Sequence, residues 1–240
     1  MSTASQAPSP PIDEKRAFYR QPEVVAAYDR QRFGSPSGVW VNERELHEAV
    51  ALLPPRGRVL DLGCGTGRLS RYLVDHGYDV VMLDASGAML ARAVPNVGAP
   101  AVLGDAFALP FRAGSFDAVV ALRVAFHFAD VQSLMSSVAP LLKDQGRFVF
   151  DTYRWSPRSA IALGSQRWGG KVFVHSTSQV RNAAAATGLQ VAEEHPCFLF
   201  SPYLYRLLPL GVVRRLDEFE TIVPSSARAR AFWALQKNQA

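Results

Sequence analysis

The sequence predicts an α/β doubly wound fold with a mainly parallel sheet, on three observations. Short apolar runs and helix-patterned segments take turns from Arg58 to Tyr153. A glycine-rich turn follows the first apolar run, and an acidic residue stands at or near the end of each of the first three. With 240 residues, 48% of them hydrophobic and 10% aromatic, the chain can bury one sizeable core and is too short for two ordinary enzyme domains. One domain is therefore expected over residues 13–240. Residues 1–12, rich in Ser, Pro and Ala without periodicity, are read as a disordered tail.

The elements follow in order. EKRAFYRQPEVVAAYDR and VNERELHEAVALL carry apolar residues at helical spacing on either side of FGSPSG, so a helical flap is expected over 13–53. Pro54, Pro55 and Gly57 stop the second helix, and RVLDLG reads as a buried strand. RLSRYLVDHG reads as a helix ended by Gly77, DVVMLD as a strand, and SGAMLARAV as a helix with a Ser cap. PAVLGD and FDAVVALR read as strands, DVQSLMSSVAPLLK as a helix and GRFVFDTY as a strand, completing a core over 54–153.

Beyond Tyr153 the pattern is looser. WSPRSAIALGSQRWGG reads as an irregular insertion, KVFVH as a candidate strand, and TSQVRNAAAATG as a helix capped by Thr177 or Ser178 and stopped by Gly188. LQVAEEHPCFLF is strand-like. PYLYRLLPLGVVRRLDEF is aromatic and amphipathic; Pro209 and Gly211 interrupt it, which favours a lid or core element over an interfacial helix.

The formal net charge is +5 and comes mostly from arginine, the only lysines being Lys15, Lys143, Lys171 and Lys237. Arginine suits an anionic substrate, but the positive charges are scattered among acids, which argues against nucleic acid. No apolar run approaches the roughly 20 residues that cross a bilayer, and no apolar stretch follows a basic start. Two cysteines, Cys64 and Cys197, are too few for a disulfide framework, and no Cys/His cluster has metal-ligand spacing. A metal-free cytoplasmic protein, monomer or homodimer, is expected.

The most informative segment is Val59-Leu60-Asp61-Leu62-Gly63-Cys64-Gly65-Thr66-Gly67, a strand running into a glycine turn that opens a helix. Such a turn lets the backbone approach a nucleotide cofactor at the carboxyl end of a parallel strand. The spacing is G-x-G-x-G rather than the G-x-G-x-x-G of dinucleotide binders. Asp61, two residues before the first glycine, suits a cofactor with positive charge better than a pyrophosphate. Asp84, followed by Ala85, closes the second strand where ribose hydroxyls would be held. Asp105 closes the third, placed for an adenine amino group, with the Ala106 backbone at the ring edge. Each acid taken alone is also an ordinary helix or turn cap.

VLDLGCGTGRLSRYL, LDASGAMLARA, GDAFALPF and SFDAVVALRVAFHF together resemble the class I S-adenosylmethionine-dependent methyltransferases, in particular the small-molecule subgroup similar to the ubiquinone/menaquinone-type, methyltransferase type 11-like enzymes. The resemblance covers roughly Arg58 to Tyr153. It implies a Rossmann-like, seven-stranded sheet with a reversed last strand, and S-adenosylmethionine as cofactor with S-adenosylhomocysteine as product. It implies cofactor contacts along Asp61, Gly63, Cys64 and Gly65, at Asp84 and Ala85, and at Asp105 and Ala106. Leu122 and Arg123 would border the methionine end. Asp144-Gln145-Gly146 stands where the family commonly has Pro-Gly-Gly, a departure away from the cofactor.

Methyl transfer from a sulfonium needs alignment in a dry pocket, and a base only where the acceptor must lose a proton. His127, after the fourth strand, is the first candidate base, with loop orientation as its alternative role. His175 is a weaker one, with a capping or surface role as its alternative. Arg123 would bind an anionic acceptor group or pair with Asp130 or Asp151; Asp151 and Tyr153 are placed to line the acceptor pocket. Tyr19 and Tyr28 of the flap would close over the cofactor, as similar tyrosines do in related enzymes, or serve as core. The expected activity is methyl transfer to an O or N atom (a C atom being a further option) of a small organic acceptor, the segments 13–53 and 154–240 forming its pocket. The alternatives are an RNA or protein methyltransferase, a nicotinamide-dependent oxidoreductase, and a silent S-adenosylmethionine-binding protein.

Overall fold

The computed structural model describes residues 10–160 and 172–237. Seven strands form one sheet in the order β3-β2-β1-β4-β5-β7-β6: β1 (Arg58–Leu62), β2 (Asp79–Asp84), β3 (Ala101–Leu103), β4 (Phe116–Ala121), β5 (Leu142–Tyr153), β6 (Leu189–Cys197) and β7 (Arg230–Lys237). The first five pair in parallel, while β7 runs antiparallel between β5 and β6. This is the expected doubly wound sheet with its reversed last strand. The strand order turns round between β1 and β4, so a crevice opens at their carboxyl ends.

The helices form a layer on each face. α3 (Pro36–Ala51), α4 (Arg68–Asp75) and α5 (Gly87–Val97) pack on the side of Val59, Met82 and Val120; α6 (Val131–Val138) and α8 (Thr177–Ala186) cover the side of Leu60, Val119 and Phe148. The central strands β2 and β4 are apolar on both faces, as a sheet covered twice requires, and a fully buried side chain such as Leu60 or Phe148 contributes about 1.5–3 kcal/mol. Short polar side chains start the helices. Ser86 Oγ accepts from the Met89 N–H, Asp130 Oδ1 from the Gln132 N–H and Ser35 Oγ from the Gly38 N–H. The cap of α8 is Ser176, in a reciprocal pair with Gln179, and not the expected Thr177 or Ser178.

The flap departs from the expected outline in two places. Its first stretch is divided into α1 (Pro10–Arg20) and α2 (Pro22–Phe33), because Gln21 adopts an extended conformation before a proline at N1. α1 begins inside the stretch read as a tail, of which residues 1–9 lie outside the described residues. The described part of KVFVH makes only a single bridge, Val174 to Tyr153, and residues 161–170 of the 155–170 insertion lie outside the described residues, its earlier part holding α7 (Pro157–Ala160). α9 (Pro202–Tyr205) and α10 (Leu210–Glu220) pack on α3: Trp40 stacks on Tyr205 at 5.9 Å, and Ser37 Oγ donates to the Leu208 carbonyl. Tyr205 and Val213 are buried in this packing, while Leu204, Leu207, Val212 and Phe219 stay exposed. Among the described residues no helix is long and apolar enough to cross a membrane.

Candidate functional site

A cavity of about 160 Å³ opens at the carboxyl ends of β1, β2 and β4. Its floor is the glycine turn. Gly63 is at φ +75°, and a Cβ there would stand 2.5 Å from Val124 Cγ2; Gly65, at φ +56°, faces open space with nothing within 4 Å. The turn therefore presents bare backbone to whatever fills the cavity. Asp84 forms the next wall: its Oδ2 accepts from the Gly65 N–H and its Oδ1 from the Ser86 N–H, both at 2.8 Å. Burial raises its pKa despite these bonds. Asp105 and Ala106 follow at the end of β3, with Leu122, Arg123 and His127 after β4 and Tyr19 and Tyr28 from the flap.

The flap is tied across this opening at four successive loops. Thr66 Oγ1 donates to Asp29 at 2.8 Å, Ser86 Oγ to the Tyr19 carbonyl at 2.7 Å, Arg16 to Asp105 at 2.5 Å, and Lys15 Nζ to the His127 carbonyl at 3.1 Å. Tyr19 stands edge-on to both Tyr28 and His127, with ring centres 6.2 and 5.8 Å away. The two tyrosines thus both line the cavity and pack together.

His127 is half-buried, and its Nδ1 is buried without a hydrogen-bond partner. Burial, followed by the charges of Lys15, Arg32, Arg158 and Arg123, pushes its pKa well below the ordinary histidine value. The imidazole is therefore neutral at physiological pH, the form that accepts a proton.

Several predicted site residues lie elsewhere. Asp61 does not line the cavity: it turns to α4, where its Oδ2 accepts from Ser70 Oγ at 2.6 Å, and burial raises its pKa to about 6. Cys64 is buried outside the lining, its thiol pushed up by burial. His175 neither caps nor lies on the surface; it is buried beside the backbone of Phe128 and Ala129 and is not part of the cavity lining, its pKa lowered by burial. Asp151 and Tyr153 lie fully buried beneath the cavity rather than along it.

The partner of Arg123 is also a correction. Asp130 caps α6, and Asp151 accepts only the backbone N–H of Arg123 while pairing with Arg230. The Arg123 side chain pairs instead with Glu45, fully buried in α3, at 2.9 Å. Arg68 and Arg230 meet the same carboxylate. Burial alone would raise the Glu45 pKa, but Arg230, Arg123 and Arg68 hold it below the usual carboxylate range. Sequence reading missed Glu45, although an acid in the stripe Val41, Glu45, Ala49, Leu52 is a visible signal of a buried ion pair.

A cofactor with a nucleoside and a methionine end fits this cavity. Bare glycine backbone lies at one side, Asp84 and Asp105 at strand ends, and an unpartnered imidazole nitrogen at the far side. Comparisons with known proteins agree. A family model described as a methyltransferase domain matches residues 60–150. The chain is 43% identical over 160 residues to an uncharacterized methyltransferase of Synechocystis, covering 61% of this chain and 73% of that one. It is 40% identical over 116 residues to demethylmenaquinone methyltransferase of Beutenbergia cavernae, 45% of this chain and 46% of the relative, so the match spans about half the length of that relative. A solved structure from Thermotoga maritima, described as an S-adenosylmethionine-dependent methyltransferase and possible histamine N-methyltransferase, shares the fold with a TM-score of 0.67 at 16% identity, covering 93% of this chain and all of that one. Sheet order, glycine turn and relatives converge on one conclusion: the chain belongs to the class I S-adenosylmethionine-dependent methyltransferases.

Proposed function

We propose that this protein transfers the methyl group of S-adenosylmethionine to an O or N atom of a small organic acceptor by in-line displacement. The observation that carries the reading is the cavity at the turning point of the sheet, where Gly63, Gly65 and Asp84 meet. When bound, the sulfonium supplies an electrophilic methyl group that leaves with sulfur retaining the electron pair. Gly63 and Gly65 admit the methionine end along their backbone, Asp84 accepts the ribose hydroxyls, and Asp105 with the Ala106 backbone faces the adenine edge. Leu122 and Arg123 border the reacting end. Tyr19 and Tyr28 exclude water from above, which supports alignment of the two reacting atoms.

His127, neutral and with a free Nδ1, takes the acceptor's proton or fixes its hydroxyl or amine by hydrogen bond. The four flap attachments favour a small acceptor over an RNA or a protein, because a macromolecule would have to displace them.

Calorimetric titration with S-adenosylmethionine, S-adenosylhomocysteine and NADH tests the reading. The sulfur nucleosides are expected to bind and NADH not, and Asp84→Ala to weaken them about 10–100-fold, the loss of a charged hydrogen bond. Folded protein that binds neither sulfur nucleoside would overturn it.

A further inference from the structure

Arg123 has a backbone that an arginine seldom adopts. It stands at φ +65°, in the left-handed region where a Cβ crowds the neighbouring carbonyl. Its place in the chain makes that conformation matter. β4 ends at Ala121, and the chain must then bend into the tight turn Ala125–His127; Leu122, Arg123, Val124 and His127 all line the cavity. The left-handed residue sits at the bend. Val124, next along, lies so near the glycine turn that a Cβ on Gly63 would stand 2.5 Å from its Cγ2.

A closed ring of charged groups holds this bend. The Arg123 N–H donates to Asp151 Oδ1 at 2.5 Å, and Asp151 Oδ2 accepts from Arg230 Nε at 2.9 Å. Arg230 Nη1 donates to Glu45 Oε1, which also accepts from Arg123 Nη1 at 2.9 Å. Residue 123 is thus gripped by backbone and side chain together, and Asp151, Arg230 and Glu45 are all fully buried. The far end of the loop has ties of its own. The Phe126 carbonyl accepts from the Phe173 N–H at 2.9 Å and the His127 carbonyl from Lys15 Nζ at 3.1 Å.

The fold uses the same device once more. Phe198, buried and at φ +61°, donates its N–H to Glu220 Oε2 at 2.9 Å. Neither Phe198 nor Glu220 lines the cavity. In both places a carboxylate accepting one backbone N–H, a charge-assisted bond, offsets the cost of a left-handed residue that carries a Cβ.

We propose that Asp151 is a positioning residue for methyl transfer: by accepting the Arg123 N–H it keeps residue 123 left-handed, which seats Val124 against the glycine turn and sets the turn that carries His127. This rests on the methyltransferase reading above and adds to it a residue that touches neither cofactor nor acceptor. Arg230 acts one step further back, by orienting Asp151.

The test is a cycle of substitutions in the whole protein, read by calorimetric titration with S-adenosylhomocysteine and by hydrogen exchange over residues 122–128. Arg123→Ala and Arg123→Gly remove the same charge and the same pair with Glu45, and differ in the Cβ that makes the left-handed backbone costly. Adding Asp151→Ala to Arg123→Ala is expected to weaken S-adenosylhomocysteine about tenfold and to speed exchange by a similar factor, the size of the left-handed penalty. Adding it to Arg123→Gly should change either by less than about threefold. Equal losses in the two backgrounds, or no loss in either, overturn the proposal. Glu220→Ala, at the second such bend, is expected to leave S-adenosylhomocysteine affinity unchanged; an equal loss there would mark the effect as general destabilisation and overturn the proposal too. Nuclear magnetic resonance on the wild-type protein should find the Arg123 amide slow to exchange, and fast exchange of that amide overturns the proposal whether or not the Asp151 variants fold. Wild-type protein that fails to bind S-adenosylhomocysteine counts against the methyltransferase reading instead, and the exchange comparison then decides whether Asp151 holds the bend.

Discussion

Asp84 and Asp105 hold one end of the cavity, and Lys15 and Arg123, with the guanidiniums behind them, hold the other. The acidic end comes from successive parallel strands, each delivering its last residue to the same edge, so its geometry follows from the sheet itself. The cationic end draws Lys15 from α1, Arg32 from α2, Arg123 from the loop after β4 and Arg206 from just after α9. One end is fixed by register and the other by tertiary packing and a buried carboxylate in α3. A cofactor common to the family would be read by the first, an acceptor particular to this chain by the second.

The comparison breaks most severely at Glu45. Glu45→Gln leaves Arg68, Arg123 and Arg230 without their shared counter-charge and is expected to cost about 3–5 kcal/mol in urea unfolding, the penalty for stranding buried charges. An unchanged midpoint would show the network to be dispensable. His127→Asn is expected to lower kcat about 10²–10⁴-fold while S-adenosylhomocysteine affinity is retained. Because the His127 pKa lies well below its ordinary value, the acid limb of the wild-type rate should fall below pH 6.5, the imidazole being neutral above it.

Outside the cavity lining, Asp61 gives a sign that can be checked. Its folded pKa, about 6, lies above that of an unfolded Asp, so between about pH 4 and 6 the folded state binds the extra proton and stability falls as pH rises. Asp61→Asn should remove that slope and gain on the order of 2–3 kcal/mol at pH 7 relative to wild type. The smallest effect belongs to Arg16→Ala. The pair with Asp105 is partly solvent-exposed, and its loss should cost no more than about 1 kcal/mol of thermal stability.

The same contrast explains what could be read from the amino acids. β1 to β5 were legible because continuous apolar runs were bounded on one side or the other by Gly, Ser or Asp, signals that act within a few residues. Asp84 and Asp105 were legible for the same reason, whereas the side chain of Asp61 points to Ser70, which strand position alone does not reveal. β7, in RARAFWALQK, has no flanking glycine or proline and alternates no polar face, so only its pairing with β5 and β6 identifies it. The guanidiniums around Tyr203 come from residues 32, 123, 158 and 206, a separation at which no local pattern operates. Only the third dimension brings them together.

β7 also bears on how quickly the molecule can form. It joins Tyr153 to Arg230 and Arg147 to Gln236, distant partners whose loop must close before either neighbour gains anything. Arg230 travels on that strand, so Glu45 and Asp151 lack their strongest partner until it docks. Refolding is expected to be limited by this late insertion. Trp233, whose indole N–H reaches Thr152 Oγ1 at 2.9 Å, supplies the fluorescence signal by which stopped-flow mixing would time it.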